Sequence, residues 1–191
     1  MSDSQTEISP DHEHFASIPW VAPHLSGQHD SRIITSTPES RVPKANGEDS
    51  LFAETLRTQS TIIAMLQVYE EPAFPVERID SMKTFVTLGG GLNGHPSVLH
   101  GGIVCTILDE VLGALIILNQ KGGRLPDAPI MTAYLNTTFL KPVPNCATHL
   151  AQAKIVKAEG RKIFVEAWIE DSDGTVLSRA DALFIALRSS L

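Results

Sequence analysis

Cysteine is nearly absent: Cys105 and Cys146 are the only two in 191 residues. That excludes a disulfide framework, and both are read as free thiols. Positive charge is scarce at the start, where the first thirty residues hold no Lys or Arg and four acids by Glu13. Such a composition excludes a secretory n-region and a mitochondrial transit peptide. The net charge of −7 sits mostly in residues 1–50, with 3 basic and 8 acidic side chains, while residues 51–191 hold 12 and 14. No basic stripe can displace counterions, so nucleic acid is excluded as a partner. The longest apolar run, Ile103 to Leu118, is broken by Asp109-Glu110 and is expected to fall short of a membrane span. Repeats and low-complexity tracts are missing. A soluble cytoplasmic protein is expected.

What is present divides the chain into three parts. Residues 1–49 are rich in Ser, Pro, Asp, Glu and His without sustained periodicity, and are expected to form an extended or disordered arm. His12, His14, His24 and His29 lie there without a cysteine or fixed carboxylate partner, so no metal or other cofactor is expected. Phe15, Ile18, Trp20, Val21 and Leu25 are too apolar for a free tail, and part of the arm is expected to pack on the body. Ser50 is a plausible N-cap for a helix through Leu51, Phe52, Leu56, Ile62, Ile63, Leu66 and Tyr69, so residues 50–79 are expected to be a helix and a connection.

Residues 80–191 carry the main domain. Met82 to Leu88 reads as a strand, followed by Gly89-Gly90-Gly91. Pro129–Lys141, Thr148–Ala158, Arg161–Asp171 and Thr175–Leu187 are rich in Val, Ile, Thr and aromatics. Turn signals at Pro142-Val143-Pro144-Asn145, Glu159-Gly160 and Asp173-Gly174 join them. One strand, one long helix and four successive antiparallel strands make an α+β plan with the helix laid across the sheet.

The most informative segment runs from Asn93 to Gly102 and leads into that helix. Turn formers stop at Gly101 and helix formers begin, so the helix starts there. Ile103, Val104, Ile107, Leu108, Val111, Leu112, Leu115, Ile116 and Leu118 cover almost every face, which predicts protein on all sides and places Asp109 at least partly in the interior. A buried carboxylate is retained with partners or for a task. An Asp that reaches solvent, or is held by Thr106 or nearby backbone, fits the same pattern.

His100-Gly101-Gly102, an acid nine residues after the His, Thr132-Ala133-Tyr134-Leu135-Asn136, Lys141-Pro142-Val143-Pro144 and Asp173-Gly174 together resemble the hotdog fold. More narrowly they are similar to the acyl-CoA thioesterase branch named after the bacterial phenylacetate-pathway enzyme. The resemblance covers about residues 80–188 and leaves the arm without a function. It implies an acyl-CoA substrate and hydrolysis of its thioester. It implies that the amide of Gly101 polarises the carbonyl, that Asp109 attacks it or activates water, and that the hydroxyl of Thr132 orients that water. His100 is implied to close the loop and position groups around the carboxylate. By residue type alone, without the resemblance, Thr132 reads as an ordinary strand threonine.

The family often carries an Asn six residues before the His; here that position is Gly94, flanked by Asn93 and His95, which can substitute or merely hold the loop. Gly102 belongs to the same candidate binding loop. Arg161 and Lys162, with Lys154 and Lys157 nearby, are the densest basic cluster and are candidates for the CoA phosphates, though a solvated hairpin end carries the same residues. Gly101 and Asp109 are eight residues apart, roughly 12 Å along a helix. One chain cannot bring both to one carbonyl, whereas a two-fold dimer with antiparallel helices can. The resemblance likewise implies homodimers, often paired into tetramers. Three other readings stand beside hydrolysis: a hotdog hydratase or dehydratase using His95 or His100 with an acid, a non-catalytic acyl-CoA binding module, and a structural dimerisation domain, which would have no need of Thr132.

Overall fold

A computed structural model describes residues 9–26 and 32–188. Two short helices, α1 (Pro10–Ala16) and α2 (Ala22–Leu25), precede strands β1 (Ile33–Ser36), β2 (Ile62–Glu70) and β3 (Ser81–Leu88). A small ribbon of β4 (Asn93–His95) and β5 (Val98–Leu99) leads into the long helix α3 (Gly101–Lys121). Strands β6 (Ile130–Phe139), β7 (Thr148–Glu159), β8 (Lys162–Glu170) and β9 (Val176–Ala186) complete the chain. Seven strands form one antiparallel sheet in the order β1-β2-β3-β7-β8-β9-β6, and α3 lies across its inner face.

The inner core is aliphatic. Val104, Ile107, Leu108, Val111, Leu112 and Leu115 of α3 meet buried inward-facing residues of the sheet such as Val86, Ala153, Val165 and Ala182. Small alanines on β7, β8 and β9 leave room for the helix to sit close to the strands. The helix is not covered on all sides as its composition predicted. Ile117 is 42% exposed and Asp109, Glu110 and Gly113 are half-buried, so one face of α3 stays open in the single chain. At 21 residues, α3 is also long and apolar enough to cross a membrane, contrary to the expectation from the apolar run. Eight of its side chains are nevertheless buried within the fold.

The helix expected from Ser50 to Tyr69 is not there. Leu51–Thr55 makes a single π-helical turn with no side-chain cap from Ser50, and Ile62–Glu70 is strand β2. The reason is burial on both faces. Met65 faces the α3 core while Ala64, Leu66 and Val68 face a second apolar cluster on the outer side, so the alternation that marks a strand is erased. Because β1 and β2 join β3 in one sheet, strands on both sides of residue 80 belong to the same unit.

The arm is ordered where it is described. Phe15 and Val21 are fully buried, and with Ile18, Trp20 and Leu25 they cover the outer face of β2, β3 and β7 against Leu66, Phe85 and Leu150. His14 Nε2 lies 2.8 Å from Thr87 Oγ1 and His24 Nδ1 lies 3.2 Å from Lys83 Nζ. The extended-arm reading of residues 1–8 and of His29 falls outside the described residues. Arg41, only 1% exposed, anchors the rest of the arm through Nη2 to the carbonyl of Ile62 at 3.1 Å.

The last four strands are not a simple meander. β7, β8 and β9 follow one another, but β6 pairs with β9 at the edge. The connection from β6 to β7 must therefore cross under two strands, and Pro142–Asn145 does so beside the ribbon. Leu99 N–H donates to the Val143 carbonyl at 2.9 Å, and Asn145 Nδ2 donates to Asn93 Oδ1 at 2.7 Å. This crossing clamps the loop ahead of α3.

Candidate active site

Helix α3 begins at Gly101 as the turn signals predicted, and the accounting of its first amides decides what the site can offer. His100 is the N-cap; its Nδ1 accepts from Gly102 N–H at 2.9 Å. Ile103 and Val104 N–H both donate to the His100 carbonyl. Among the described residues, Gly101 N–H is left without a partner. It is a bare donor at the positive end of the helix dipole. Because His100 Nδ1 accepts, its ring carries the proton on Nε2 and presents a donor there. The amide of Gly102 is spent on His100, so it is not available to a ligand.

The glycines around this turn have different reasons. At Gly94 a Cβ would stand 2.9 Å from His100 Cα, so no side chain fits where the family often has Asn. Asn93 is engaged by Asn145 and fixes the loop, and His95 is an exposed residue of β4. At Gly101 a Cβ would make only ordinary contact, 3.5 Å from the Phe139 ring. The protomer's own packing therefore does not require glycine there.

Helix α3 and edge strand β6 run side by side in opposite directions. Gly101 lies by Phe139, Cys105 Sγ is 3.5 Å from Thr137 Oγ1, and Thr132 Oγ1 donates to Asp109 Oδ1 at 2.9 Å. The hydroxyl of Thr132 thus holds the carboxylate itself, while Asp109 Oδ2 has no hydrogen-bond partner among the described residues. One oxygen is fixed and the other is free to meet a water or a carbonyl carbon. Gly101 remains about 12 Å away along the helix axis, at the other end of the pairing with β6.

Asp109 opens onto a cavity of about 500 Å³ between α3, the start of β6 and residues 36–49 of the arm. Its apolar wall includes Gly113, Ala114, Ile117 and Phe184, and its polar wall includes Ser40 and Glu110. Burial pushes the Glu110 carboxyl above the usual carboxylate range, with the nearby Asp49 and Asp109 charges adding to it against Ser40 and Lys44. A depression of similar size on the outer face of β6, β8 and β9, lined by Trp168 and Arg179, has none of the groups at the helix start.

Arg161 and Lys162 are not brought to Asp109. Thr132 pairs with Phe184 and Phe184 with Ile163 on the inner face, so the neighbouring Lys162 points to the outer face. Arg161 donates through Nη1 to the Ala186 carbonyl at 3.3 Å. Reasoning from the sequence also missed Glu110 and the arm's wall. For Glu110 the signal was there: a second acid beside Asp109 in an apolar helix.

The profile of the thioesterase superfamily matches residues 97–178, a stretch that holds His100, Gly101, Asp109 and Thr132. Over 164 residues the chain is 35% identical to verlamelin biosynthesis protein B of a Lecanicillium species, covering 71% of each chain. The chain belongs to the thioesterase superfamily. It is also 37% identical over 111 residues to acyl-coenzyme A thioesterase THEM4 of Bos taurus, covering 56% of this chain and 43% of that one. The chain thus spans less than half the length of that relative. Among solved structures, a phenylacetic acid degradation-related protein of Ralstonia eutropha superimposes with a TM-score of 0.54 at 18% identity, covering 76% of this chain and 92% of that one. The architecture is the hotdog fold that the sequence resemblance implied. Within this superfamily frame, the apolar helix is the one around which the sheet wraps, and Asp109 is its carboxylate beside the edge strand.

Proposed function

We propose that this superfamily member hydrolyses an acyl-CoA thioester to the free acid and CoA. The single observation that carries this reading is the pairing of Asp109 with Thr132 at the mouth of a cavity, with an unpartnered Gly101 amide elsewhere on the same helix. Asp109 either takes a proton from water as that water adds to the carbonyl carbon, or attacks the carbon and forms an anhydride that water then opens. In both routes the C–S bond breaks, the acyl carbon gains oxygen, and CoA leaves as the thiol. The Gly101 amide stabilises the oxyanion that forms before the bond breaks.

The two groups belong to one site only if they come from different copies. β6 supports that arrangement: it is an unpaired edge ten residues long, with Met131, Tyr134 and Phe139 exposed. Pairing β6 with its two-fold mate would extend the sheet, set the open faces of two α3 helices against each other, and bring Asp109 toward Gly101 of the second copy. Arg161 and Lys162, on the outer side of the sheet, would meet CoA phosphates only at such a junction. The hydratase alternative needs a histidine base; His100 Nδ1 is already taken by the Gly102 amide, and His95 does not line the cavity at Asp109. A cytoplasmic location belongs to the same proposal.

Complementation tests the site. Asp109→Asn and Gly101→Pro chains are each inactive as homodimers, whereas purified mixed dimers retain one intact site and recover toward half the wild-type rate of thiol release. Gly101→Pro must first be shown to fold, because its ring can disturb the turn. Well-folded mixed dimers without activity would place each site within a single chain.

A further inference from the structure

Next to Asp109 the helix carries a second acid that the proposed hydrolysis does not use. Glu110 lines the same cavity and is turned toward the arm rather than toward Thr132. Both lysines that line the cavity are already engaged: Lys44 Nζ lies 2.6 Å from Asp49 Oδ2 and 3.2 Å from Glu48 Oε1, and Lys121 pairs with Glu39. Glu110 therefore has no ion-pair partner among the described residues. Ser40, on the facing arm segment, lies close enough to favour the charged form of Glu110, yet its buried Oγ closes no hydrogen bond with any group. A buried hydroxyl without a partner is costly, and the cost is recovered when a ligand supplies one.

The rest of the lining says what kind of ligand enters. Gly113, Ala114, Ile117 and Phe184 make an apolar wall suited to methylene groups. A plain hydrocarbon chain in this cavity would cover the Ser40 hydroxyl and the Glu110 carboxyl without satisfying either. We propose that the Ser40–Glu110 corner is a specificity site for an acyl chain bearing a hydroxyl group a few carbons beyond the thioester carbonyl. This rests on the hydrolase reading, since Asp109 sets where the carbonyl lies.

The chemistry of the corner fits a hydroxyl better than a charge. Burial raises the Glu110 carboxyl above the usual carboxylate range, and its oxygens face the cavity where a substrate hydroxyl can hydrogen-bond to them. A substrate hydroxyl can both donate and accept, and Ser40 Oγ adds a second group that can give or take a hydrogen bond. A carboxylate on the chain would instead face Asp109, Asp49 and Glu48. The position is set by sequence adjacency: Glu110 follows Asp109 directly, so it reaches the part of the chain near the thioester and not its far end.

The test compares decanoyl-CoA with hydroxydecanoyl-CoA esters carrying the hydroxyl at successive carbons, for wild type, Glu110→Leu, Glu110→Gln and Ser40→Ala. The wild type should favour one hydroxy position over the plain chain by about tenfold or more in kcat/KM, the effect of one well-made hydrogen bond. Glu110→Leu should abolish or invert that ratio while still hydrolysing decanoyl-CoA. Glu110→Gln, which keeps a hydrogen-bonding group of the same shape, should retain most of it, and Ser40→Ala should lower it. A wild type that prefers the plain chain, or a ratio unmoved by Glu110→Leu, overturns the specificity site and leaves hydrolysis standing. If no ester releases thiol, the hydrolase reading fails instead. Calorimetric titration with free hydroxydecanoic and decanoic acids then reads the corner alone, and equal affinity for the two acids overturns it.

Discussion

Replacing Thr132 by Val removes a hydroxyl while keeping the β-branched shape of an edge-strand residue. The lost interaction is the 2.9 Å hydrogen bond to Asp109 Oδ1. A hydrogen bond to a charged group contributes about 1.5–3 kcal/mol. Thr132 is exposed, so water partly replaces it and the lower end applies, about 1.5 kcal/mol. If the bond matters only when the carboxylate must be aimed, the whole of it appears in the barrier. At 1.36 kcal/mol per decade, kcat falls roughly tenfold with KM little changed. The assay is thiol release from an acyl-CoA at saturating and limiting substrate, with Thr132→Ala and Thr132→Ser alongside. Ala should match Val, and Ser should restore most of the rate, because only the hydroxyl is in question. Thermal midpoints should move little, since the site is exposed. A Val variant with wild-type kcat, or a Ser variant as slow as Ala, would refute the idea that Thr132 aims Asp109.

Asp109→Asn should leave a folded protein and remove most activity, because the amide keeps the shape and loses the base or nucleophile; hydrolysis near the wild-type rate would sink the assignment. Glu110 makes stability depend on pH in a defined direction. Its folded-state pKa is raised above 4.5, so the unfolded chain loses its proton first and stability falls as pH rises from there through the folded value. Glu110→Gln should therefore match wild type in urea midpoint at about pH 4 and exceed it at about pH 7; parallel curves would contradict the raised pKa. His149 acts in the opposite sense. Burial lowers its pKa below 6.5, so its contribution to stability is present above 6.5 and lost as pH falls through the folded value. His149→Gln should flatten that acid limb in the same denaturation series. Phe15→Ala empties a fully buried site in the outer cluster and should cost about 3 kcal/mol. Limited proteolysis should then cut within residues 9–26 before the sheet; unchanged protection would mean the arm is held elsewhere.

Much of this protein is legible without coordinates, and the reason is local chemistry. The start of α3 at Gly101 follows from turn residues giving way to helix formers. Strands β3, β7, β8 and β9 appear within a residue or two of their expected ends, because alternating patterns and the Glu159-Gly160 and Asp173-Gly174 turns delimit them. The distance between Gly101 and Asp109 follows from helix rise alone, and it is the reason the proposed site draws on two chains.

Tertiary structure decided the rest, wherever the outcome depends on what packs against what. β2 was unreadable as a strand because burial on both faces removes its polar alternation, and the cover on its outer face comes from Phe15 and Val21, far away in sequence. The place of β6 beside β9 is a matter of long-range pairing that no local signal carries. The hydroxyl of Thr132 finds Asp109 only because that edge strand runs along α3. Glu110 and Ser40 share a wall only because Arg41 fixes the arm against β2. A sequence specifies which groups exist and how far apart they are along one element, whereas burial and cross-chain neighbours, which set partners and pKa values, arise only from the packed whole.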